Sequence, residues 1–233
     1  MQQVILLNRR LSKKSSNKSS KKLLKIKDNL FLILSDIKQE IIIIYSLFFL
    51  VSLAFIMFFN KSTLHLKINQ FHSSFFDVLF KYSTFLGDGV IFAILGVAFF
   101  FIKRKMTYVF LVSGVLTLLI THLFKKILFK GTLRPAAALG EENLHLIDGV
   151  KIAMMNSFPS GHTTTAFAIF TILCLYFAKC KSQYLWISLA IIAGFSRVYL
   201  SQHFLVDIFV GSFIGILIGI TSMAIFSKPK SIY

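Results

Sequence analysis

The sequence predicts an all-α, polytopic membrane protein with six transmembrane helices, a basic N-terminal tail and interfacial helices. Apolar residues make up 56% of the 233 residues and charged residues only 15%, which is far from the balance of a water-soluble domain. The charged residues also cluster between apolar runs instead of alternating with them. Several of these runs are long enough to cross the hydrocarbon core of a bilayer.

Residues 1–40 are predicted to form a cytoplasmic tail that ends in an interfacial helix. The stretch 12–22 is almost entirely serine, lysine and asparagine, a composition typical of disorder. Over 23–41, apolar residues recur every three or four positions among lysines, which predicts a basic amphipathic helix on the membrane surface. Ten of the 26 Lys and Arg residues lie in this tail, and this placement favours anionic membrane lipids over nucleic acid as its partner.

The membrane domain is predicted over residues 41–226, and residues 227–233 form a second cytoplasmic tail. The first helix, at 41–59, is followed by no small-residue cleavage site, so we expect an uncleaved anchor. Residues 60–84 carry phenylalanine and leucine at helical spacing among polar residues, which predicts an interfacial hairpin. The remaining apolar runs, each predicted to cross the membrane, are 85–102, 106–124, 162–178, 184–200 and 204–226.

Basic residues in the short connections predict which way the helices run. Residues 103–105 read Lys-Arg-Lys between the second and third helices, and Lys179 and Lys181 lie between the fourth and fifth. Together with the basic tail, these connections fall on one side, which the positive-inside rule assigns to the cytoplasm. We therefore expect a multi-pass protein of the cytoplasmic (inner) membrane, with both termini cytoplasmic and residues 125–161 on the outer face.

Ionisable residues collect at the outer ends of four predicted helices. They are Arg134, His162, Arg197, His203 and Asp207. Ionisable groups in membrane segments are costly to keep, and they usually mark functional sites. Basic residues on the outer face are also contrary to the positive-inside rule. Their presence there predicts an anionic ligand.

The residue types in this cluster suit a phosphate group. Arg134 and Arg197 offer forked donors that match phosphate oxygens. Pro159 followed by the small residues Ser160 and Gly161 predicts a helix start whose first backbone amides point at an anion. Ser160 adds a hydroxyl donor, and Gly161 lets the backbone approach the ligand closely.

Two histidines and one aspartate suggest nucleophilic catalysis. His203 and Asp207 are four residues apart and share one helical face, so the carboxylate can hold one ring nitrogen and leave the other free. This arrangement follows the logic of a catalytic triad, in which a third group orients the reacting one. His162 would lie across the site as the general acid.

Three motifs resemble those of the type 2 phosphatidic acid phosphatase superfamily. The family pattern is Lys-x6-Arg-Pro, then Pro-Ser-Gly-His, then Ser-Arg-x5-His-x3-Asp. Residues 159–162 match the second motif and residues 196–207 match the third in full. The resemblance extends over about residues 85–226, and three motifs in order are far more specific than any one alone.

The first motif departs from the family pattern by one residue. Counting back from Arg134 places Ile127 where the family has lysine. Lys126, with seven intervening residues, is therefore assigned as the phosphate-binding lysine, and Lys130 and Lys125 stay as alternatives.

The resemblance implies a mechanism and a set of roles. His203 would attack phosphorus to form a phosphohistidine, and His162 would protonate the leaving oxygen and later help to activate water. The reaction would need no metal and no other cofactor. The residues implied to bind the phosphate oxygens are Lys126, Arg134, Ser160, Gly161 and Arg197.

The implied activity is an integral membrane lipid phosphatase acting on a phosphomonoester or diphosphate head group. Phosphatidic acid, phosphatidylglycerol phosphate, undecaprenyl diphosphate and lipid A are all candidate substrates, and the sequence does not choose among them. Two alternatives remain open. A lipid phosphotransferase would pass the phosphoryl group to an acceptor alcohol, and a non-catalytic anion or lipid transporter would use the basic pocket for binding alone.

Overall fold

The computed structural model describes residues 24, 26–31, 35, 37–178 and 181–226. Within these residues the fold is helical, and the only β-type pairing is an isolated bridge between Leu133 and Met155. The helices are α1 (Gln39–Phe58), α2 (Lys61–Gln70), α3 (Ser74–Ser83), α4 (Val90–Ile102), α5 (Arg104–Leu123), α6 (Pro135–Leu139), α7 (Gly161–Tyr176), α8 (Gln183–Tyr199) and α9 (Leu205–Phe226). Much of the predicted tail at 1–40, and all of the tail at 227–233, lie outside the described residues.

Each of the six predicted apolar runs contains a helix, but six membrane crossings are not confirmed. Among the described residues, three helices are long and apolar enough to cross a bilayer, namely α1, α9 and the segment Arg104–Leu128 that contains α5. A fourth candidate is the pair Ser74–Gly87 and Val90–Ile102, which is bent by 62°. The fourth and fifth predicted runs form α7 and α8, whose 16 and 17 residues are shorter than a typical straight span.

Helix α7 is the core of the bundle. All residues from Thr163 to Leu175 are buried, so its apolar residues face neighbours on every side, as in a helix enclosed by others. Its principal partner is α9, where Gly211 and Gly215 take the contact positions. A Cβ on Gly215 would lie 2.5 Å from the carbonyl oxygen of Thr164, so only glycine permits this approach.

The close packing of α7 and α9 places the beginnings of both helices side by side. A Cβ on Gly211 would lie 2.8 Å from the carbonyl oxygen of Ser160, the residue that caps α7. The backbone amide of Ser160 in turn donates to the carbonyl oxygen of Asp207, at 3.1 Å. The second and third sequence motifs are therefore joined through their backbones.

Residues 60–84, predicted to form an interfacial hairpin, contain two short helices, α2 and α3. Asn60 and Ser73 cap them, each accepting a hydrogen bond from a backbone amide two or three residues ahead. The hairpin lies beside the turn that follows α8, because the Nε2 atom of His65 is 3.1 Å from the hydroxyl of Ser201. It thereby covers the end of the bundle where the motif residues meet.

Candidate active site

The turn between α8 and α9 fixes the position of His203. The backbone amides of Gln202 and His203 both donate to the carbonyl oxygen of Arg197, at 3.0 Å each. Ser201 adopts a positive φ of 51°, which reverses the chain within a few residues. His203 is consequently buried, with 1% of its surface exposed, directly before α9 begins.

His203, Asp207 and Ser157 form one hydrogen-bonded group. The Nδ1 atom of His203 lies 3.3 Å from Oδ2 of Asp207, as their spacing predicts. The hydroxyl of Ser157 donates to the same oxygen at 2.5 Å and lies 3.4 Å from Nδ1. A third donor, the backbone amide of Phe204, reaches Oδ2 at 3.0 Å. The carboxylate is thus held in one orientation, with Nε2 of His203 left free of hydrogen bonds to any described residue.

The surroundings of His203 favour its neutral form. Burial holds the pKa of His203 well below its ordinary value of 6.5, and the positive charges of Arg134, Lys125 and Arg197 act in the same direction. With Asp207 accepting from Nδ1, a lone pair remains on Nε2. A neutral, oriented imidazole is the form that a nucleophile needs.

Arg134 is anchored by backbone and side-chain acceptors on two segments. Its Nε atom donates to the carbonyl oxygen of Met155 at 3.0 Å. Its Nη1 atom donates to both the carbonyl oxygen and the Oε1 atom of Gln202, at 3.2 Å each. Because Gln202 precedes His203 in the chain, these bonds hold the guanidinium beside the candidate nucleophile.

The turn Thr84–Gly87 holds two further residues of the cluster. The hydroxyl of Thr84 accepts a hydrogen bond from Nη1 of Arg197 at 2.5 Å, whereas the buried Nε atom of Arg197 has no partner among the described residues. A Cβ on Gly87 would lie 2.6 Å from the carbonyl oxygen of His162. The turn therefore lies against both Arg197 and the first helical turn of α7.

The start of α7 offers donors for an anion. The Ser160 hydroxyl accepts from the amide of Thr163 at 3.3 Å and from the hydroxyl of Thr163 at 2.8 Å, so its own proton stays available. The amides of Gly161 and His162 have no acceptor among the described residues. Free amides at a helix N-terminus attract phosphate oxygens.

The structure favours Lys125 over Lys126 as the lysine of the site. Lys125 is half-buried and interacts electrostatically with Arg134, Arg197 and Asp207, whereas Lys126 and Lys130 are exposed. The reason is local. Residues Phe124–Leu128 form a π-helical turn, closed by the bond from the amide of Phe129 to the carbonyl oxygen of Phe124. An extra residue in such a turn shifts every following side chain around the helix, and here Lys125 lies beside the cluster although Lys126 is nearer to the family spacing.

The structure brings the predicted cluster together and adds residues that the sequence did not indicate. His162 interacts electrostatically with Arg197, Lys125 and Arg134, so its position in the cluster agrees with the expectation from sequence. The additions are Ser157, Gln202 and Thr84. Ser157 lies two residues before Pro159, and its proximity to a motif was the one signal that could have identified it.

Within the described residues, no group of three or more His, Cys, Asp or Glu side chains is arranged to hold a metal ion. The cluster instead combines three cations, Lys125, Arg134 and Arg197, with the carboxylate of Asp207 and two histidines. The excess of positive charge attracts an anion, and the polar side chains can form hydrogen bonds with it in several directions.

Comparison with known proteins agrees with the motifs. The family model described as the PAP2 superfamily matches residues 106–231. Lipid A 1-phosphatase of Porphyromonas gingivalis is 38% identical over 66 residues, which are 28% of this chain and 15% of that protein. Bacitracin transport permease protein BcrC of Bacillus licheniformis is 37% identical over 62 residues, which are 27% of this chain and 30% of that protein. The alignments thus span less than a third of either relative.

A solved structure extends the similarity beyond the motifs. The crystal structure of Aquifex aeolicus LpxE superposes with a TM-score of 0.59 and 28% sequence identity. The match covers 69% of this chain and 92% of that one. The helical framework around the cluster is therefore shared with a protein of known structure.

Proposed function

Because this chain belongs to the PAP2 (type 2 phosphatidic acid phosphatase) superfamily, we propose that it is a membrane phosphatase that removes phosphate from a lipid head group. The substrate would be a phosphomonoester or diphosphate lipid of the kind represented by phosphatidic acid, phosphatidylglycerol phosphate, undecaprenyl diphosphate or lipid A. The observation that carries the proposal is the buried imidazole of His203, which contacts Asp207 and Ser157 and interacts electrostatically with Arg134, Lys125 and Arg197.

In the first step, the lone pair on Nε2 of His203 attacks phosphorus, and the bond from phosphorus to the leaving oxygen breaks. His162 gives its proton to that oxygen, so the dephosphorylated lipid leaves as an alcohol or a monophosphate. In the second step, His162 takes a proton from water, whose oxygen attacks the phosphohistidine. Inorganic phosphate leaves and His203 is neutral again. Asp207 stabilises the positive charge that develops on His203 in each step.

Positive charge and amide donors would stabilise the transition state. Arg134, Arg197 and Lys125 neutralise the phosphoryl oxygens, and the free amides of Gly161 and His162 add hydrogen bonds at the helix N-terminus. The hydroxyl of Ser160 contributes its remaining proton. We propose that these groups supply the charge stabilisation without a metal ion or another cofactor.

The site is proposed to lie at the outer face of the cytoplasmic membrane. Residues 41–226 would form the phosphatase domain, with the basic segment 1–40 and residues 227–233 on the cytoplasmic side, as the distribution of Lys and Arg indicates. The segment 1–40 would contact anionic lipid there. A lipid could then present its head group to the cluster while its chains stay in the bilayer.

The name of one relative supports a second candidate function. BcrC of Bacillus licheniformis is described as a transport permease protein, which is consistent with a membrane protein that binds an anionic ligand without hydrolysing it. Phosphotransfer to an acceptor alcohol is a further variant of the proposed chemistry. The two catalytic reactions differ in their products, because hydrolysis releases inorganic phosphate and transfer yields a phosphorylated acceptor.

Phosphate release from purified protein in detergent tests the proposal. The four candidate lipids are supplied one at a time, with and without EDTA, and both inorganic phosphate and phosphorylated acceptors are measured. We expect phosphate from at least one lipid, at a rate that EDTA does not change. A transporter would release none from any lipid, and inhibition by EDTA would contradict metal independence.

A further inference from the structure

One face of α2 lies against the turn that carries His203. Lys61, His65 and Asn69 are spaced four residues apart, so they share this face. His65 and Asn69 are 1% and 5% exposed. A buried polar side chain costs free energy unless it is hydrogen-bonded, and both of these side chains have their partners in or beside the turn.

His65 contacts the α8–α9 turn (residues 200–204) on both sides of His203. Its Nε2 atom lies 3.1 Å from the hydroxyl of Ser201, two residues before His203. Its ring packs edge-to-face on that of Phe204, the residue after His203, with the centroids 5.4 Å apart. Ser201 and Phe204 are both buried. A single imidazole of α2 therefore holds the chain before and after the proposed nucleophile.

The hydrogen bonds around Ser201 have a defined direction. Oδ1 of Asn69 accepts from the amide of His145 at 2.7 Å, so its Nδ2 group faces Ser201 and donates to the hydroxyl at 3.2 Å. The proton of Ser201 is then available for Nε2 of His65. Burial lowers the pKa of His65 from 6.5 to about 4, so its ring is neutral at pH 7 and Nε2 can accept that proton.

These contacts stabilise a backbone conformation that serine seldom adopts. Ser201 has a φ of 51°, in the left-handed region where glycine and asparagine are the usual residues. Another residue stays there only when its surroundings hold it. The next two amides, of Gln202 and His203, both donate to the carbonyl oxygen of Arg197. The conformation of Ser201 thus sets the path of the chain into His203.

We propose that His65 is a positioning residue for the reaction, and that it acts through the hydroxyl of Ser201 to align His203 with phosphorus. This inference rests on the proposed function. Attack on phosphorus requires Nε2 of His203 to lie in a narrow range of positions, and a displacement of about 1 Å can cost a hundredfold in rate. The contact from α2 therefore affects the alignment of the nucleophile and leaves binding of the lipid unchanged.

Two substitutions of His65 separate the hydrogen bond from the packing. His65→Phe keeps an aromatic ring against Phe204 but removes the acceptor for Ser201, and a cavity of about 30 Å³ beside His65 leaves room for the larger ring. We expect its kcat to fall about tenfold, with KM within about twofold of wild type. His65→Gln places an amide oxygen close to the position of Nε2, so its kcat should stay within about threefold of wild type.

A double-mutant cycle tests whether His65 and Ser201 act together. Ser201→Ala removes the same hydrogen bond from the other side, so its kcat should fall at least as far as that of His65→Phe. The variant that carries both substitutions should then be no slower than Ser201→Ala alone, because the bond can be lost only once.

Leu64→Ala is the matched control for loss of stability. Leu64 is buried on α2 like His65, with 7% exposed, but its side chain has no polar group. We expect this variant to have a lower Tm, because packing is lost, and an unchanged kcat. For all variants, phosphate release in detergent is measured over a range of lipid concentrations and divided by the concentration of folded protein. Thermal unfolding gives the Tm of each.

Several results would overturn this inference while leaving the proposed function intact. Wild-type kcat in both His65→Phe and Ser201→Ala would show that the turn needs no contact from α2. Equal losses in His65→Phe and His65→Gln, or losses that add in the double variant, would show that the hydrogen bond to Ser201 is not the cause. An equal loss of kcat in Leu64→Ala would reduce the effect to stability. If the wild type released phosphate from none of the four candidate lipids, the proposed function itself would fall, and this inference with it.

Discussion

The described part of the chain contains two His–Asp pairs, and they lie in very different surroundings. In the first, Nδ1 of His203 is 3.3 Å from Oδ2 of Asp207. In the second, Nε2 of His145 is 3.0 Å from Oδ2 of Asp77. By distance alone, the second pair is the tighter one. The side chains of the first pair are 1% and 4% exposed, whereas those of the second are 31% and 22% exposed.

The partners of the two aspartates differ as much as their exposure. Asp77 also accepts a hydrogen bond from the hydroxyl of Tyr199 at 2.6 Å, and His72 stacks on His145 with ring centroids 3.8 Å apart. These contacts join α3, α8 and the loop between α6 and α7. His203 instead interacts electrostatically with the cations of the cluster, namely Arg134, Lys125 and Arg197.

The difference shows what turns a His–Asp pair into a candidate catalyst. Burial and the neighbouring positive charges favour the neutral form of His203, and the same charges can attract an anion. The pair at His145 is instead partly exposed to solvent and connects structural elements. The sequence analysis selected the first pair because His203 and Asp207 are four residues apart in one motif, whereas His145 and Asp77 are 68 residues apart. The following predictions compare the two pairs directly.

Removing each histidine should give the largest contrast. His203→Ala deletes the proposed nucleophile, and we expect kcat/KM to fall by about 10⁴-fold or more. His145→Ala removes a surface contact, whose effect on free energy should be about 0.5 kcal/mol and on the rate about twofold. Phosphate release in detergent measures both. Comparable losses in the two variants would remove the distinction between the pairs.

Neutralising each aspartate should give a smaller contrast. Asp207→Asn keeps the shape of the side chain but removes the charge that stabilises positively charged His203, so kcat should fall by about 10²- to 10⁴-fold. Asp77→Asn should change kcat by less than about threefold and lower the Tm by a few degrees, because bonds to Tyr199 and His145 weaken. Kinetics and thermal unfolding of both variants check this. Full activity of Asp207→Asn would show that His203 needs no orienting carboxylate.

Much of this arrangement could be predicted from sequence because motif spacing is local. A spacing of four places His203 and Asp207 together at the start of one helix, and Pro159 marks the start of another. The glycines of α9 then bring the two helix starts together. The sequence did not predict this contact. The catalytic roles of these residues stay predictions.

The features that the sequence did not predict depend on departures from regular geometry or on distant contacts. The π-helical turn at Phe124–Leu128 changes which lysine faces the cluster, and counting along an ideal helix cannot detect it. The 62° bend between Ser74–Gly87 and Val90–Ile102, close to where the predicted hairpin at 60–84 meets the run at 85–102, was not predicted either. Ser157 binds Asp207 across 50 residues of chain, a contact that only the fold brings about.

Removing one serine from each region should give the smallest contrast. Ser157→Ala deletes a hydrogen bond to the buried carboxylate, and we expect kcat to fall about tenfold, because a bond to a charged group contributes about 1.5–3 kcal/mol. Ser73→Ala is the matched control, since the Ser73 hydroxyl caps α3 in the region of the second pair and does not contact Asp207. Its kcat should stay within about threefold of wild type. Identical rates for Ser157→Ala and wild type would exclude a positioning role for Ser157.

We propose that His203, and not the similar His145, carries the phosphoryl group. Rapid quenching with alkali during turnover of ³²P-labelled lipid, followed by peptide mapping, tests it most directly, because phosphohistidine survives alkali. We expect label on the peptide that contains His203 in wild type and in His145→Ala, and no label in His203→Ala. Turnover by the wild type without any labelled histidine, or label that persists in His203→Ala, would contradict it.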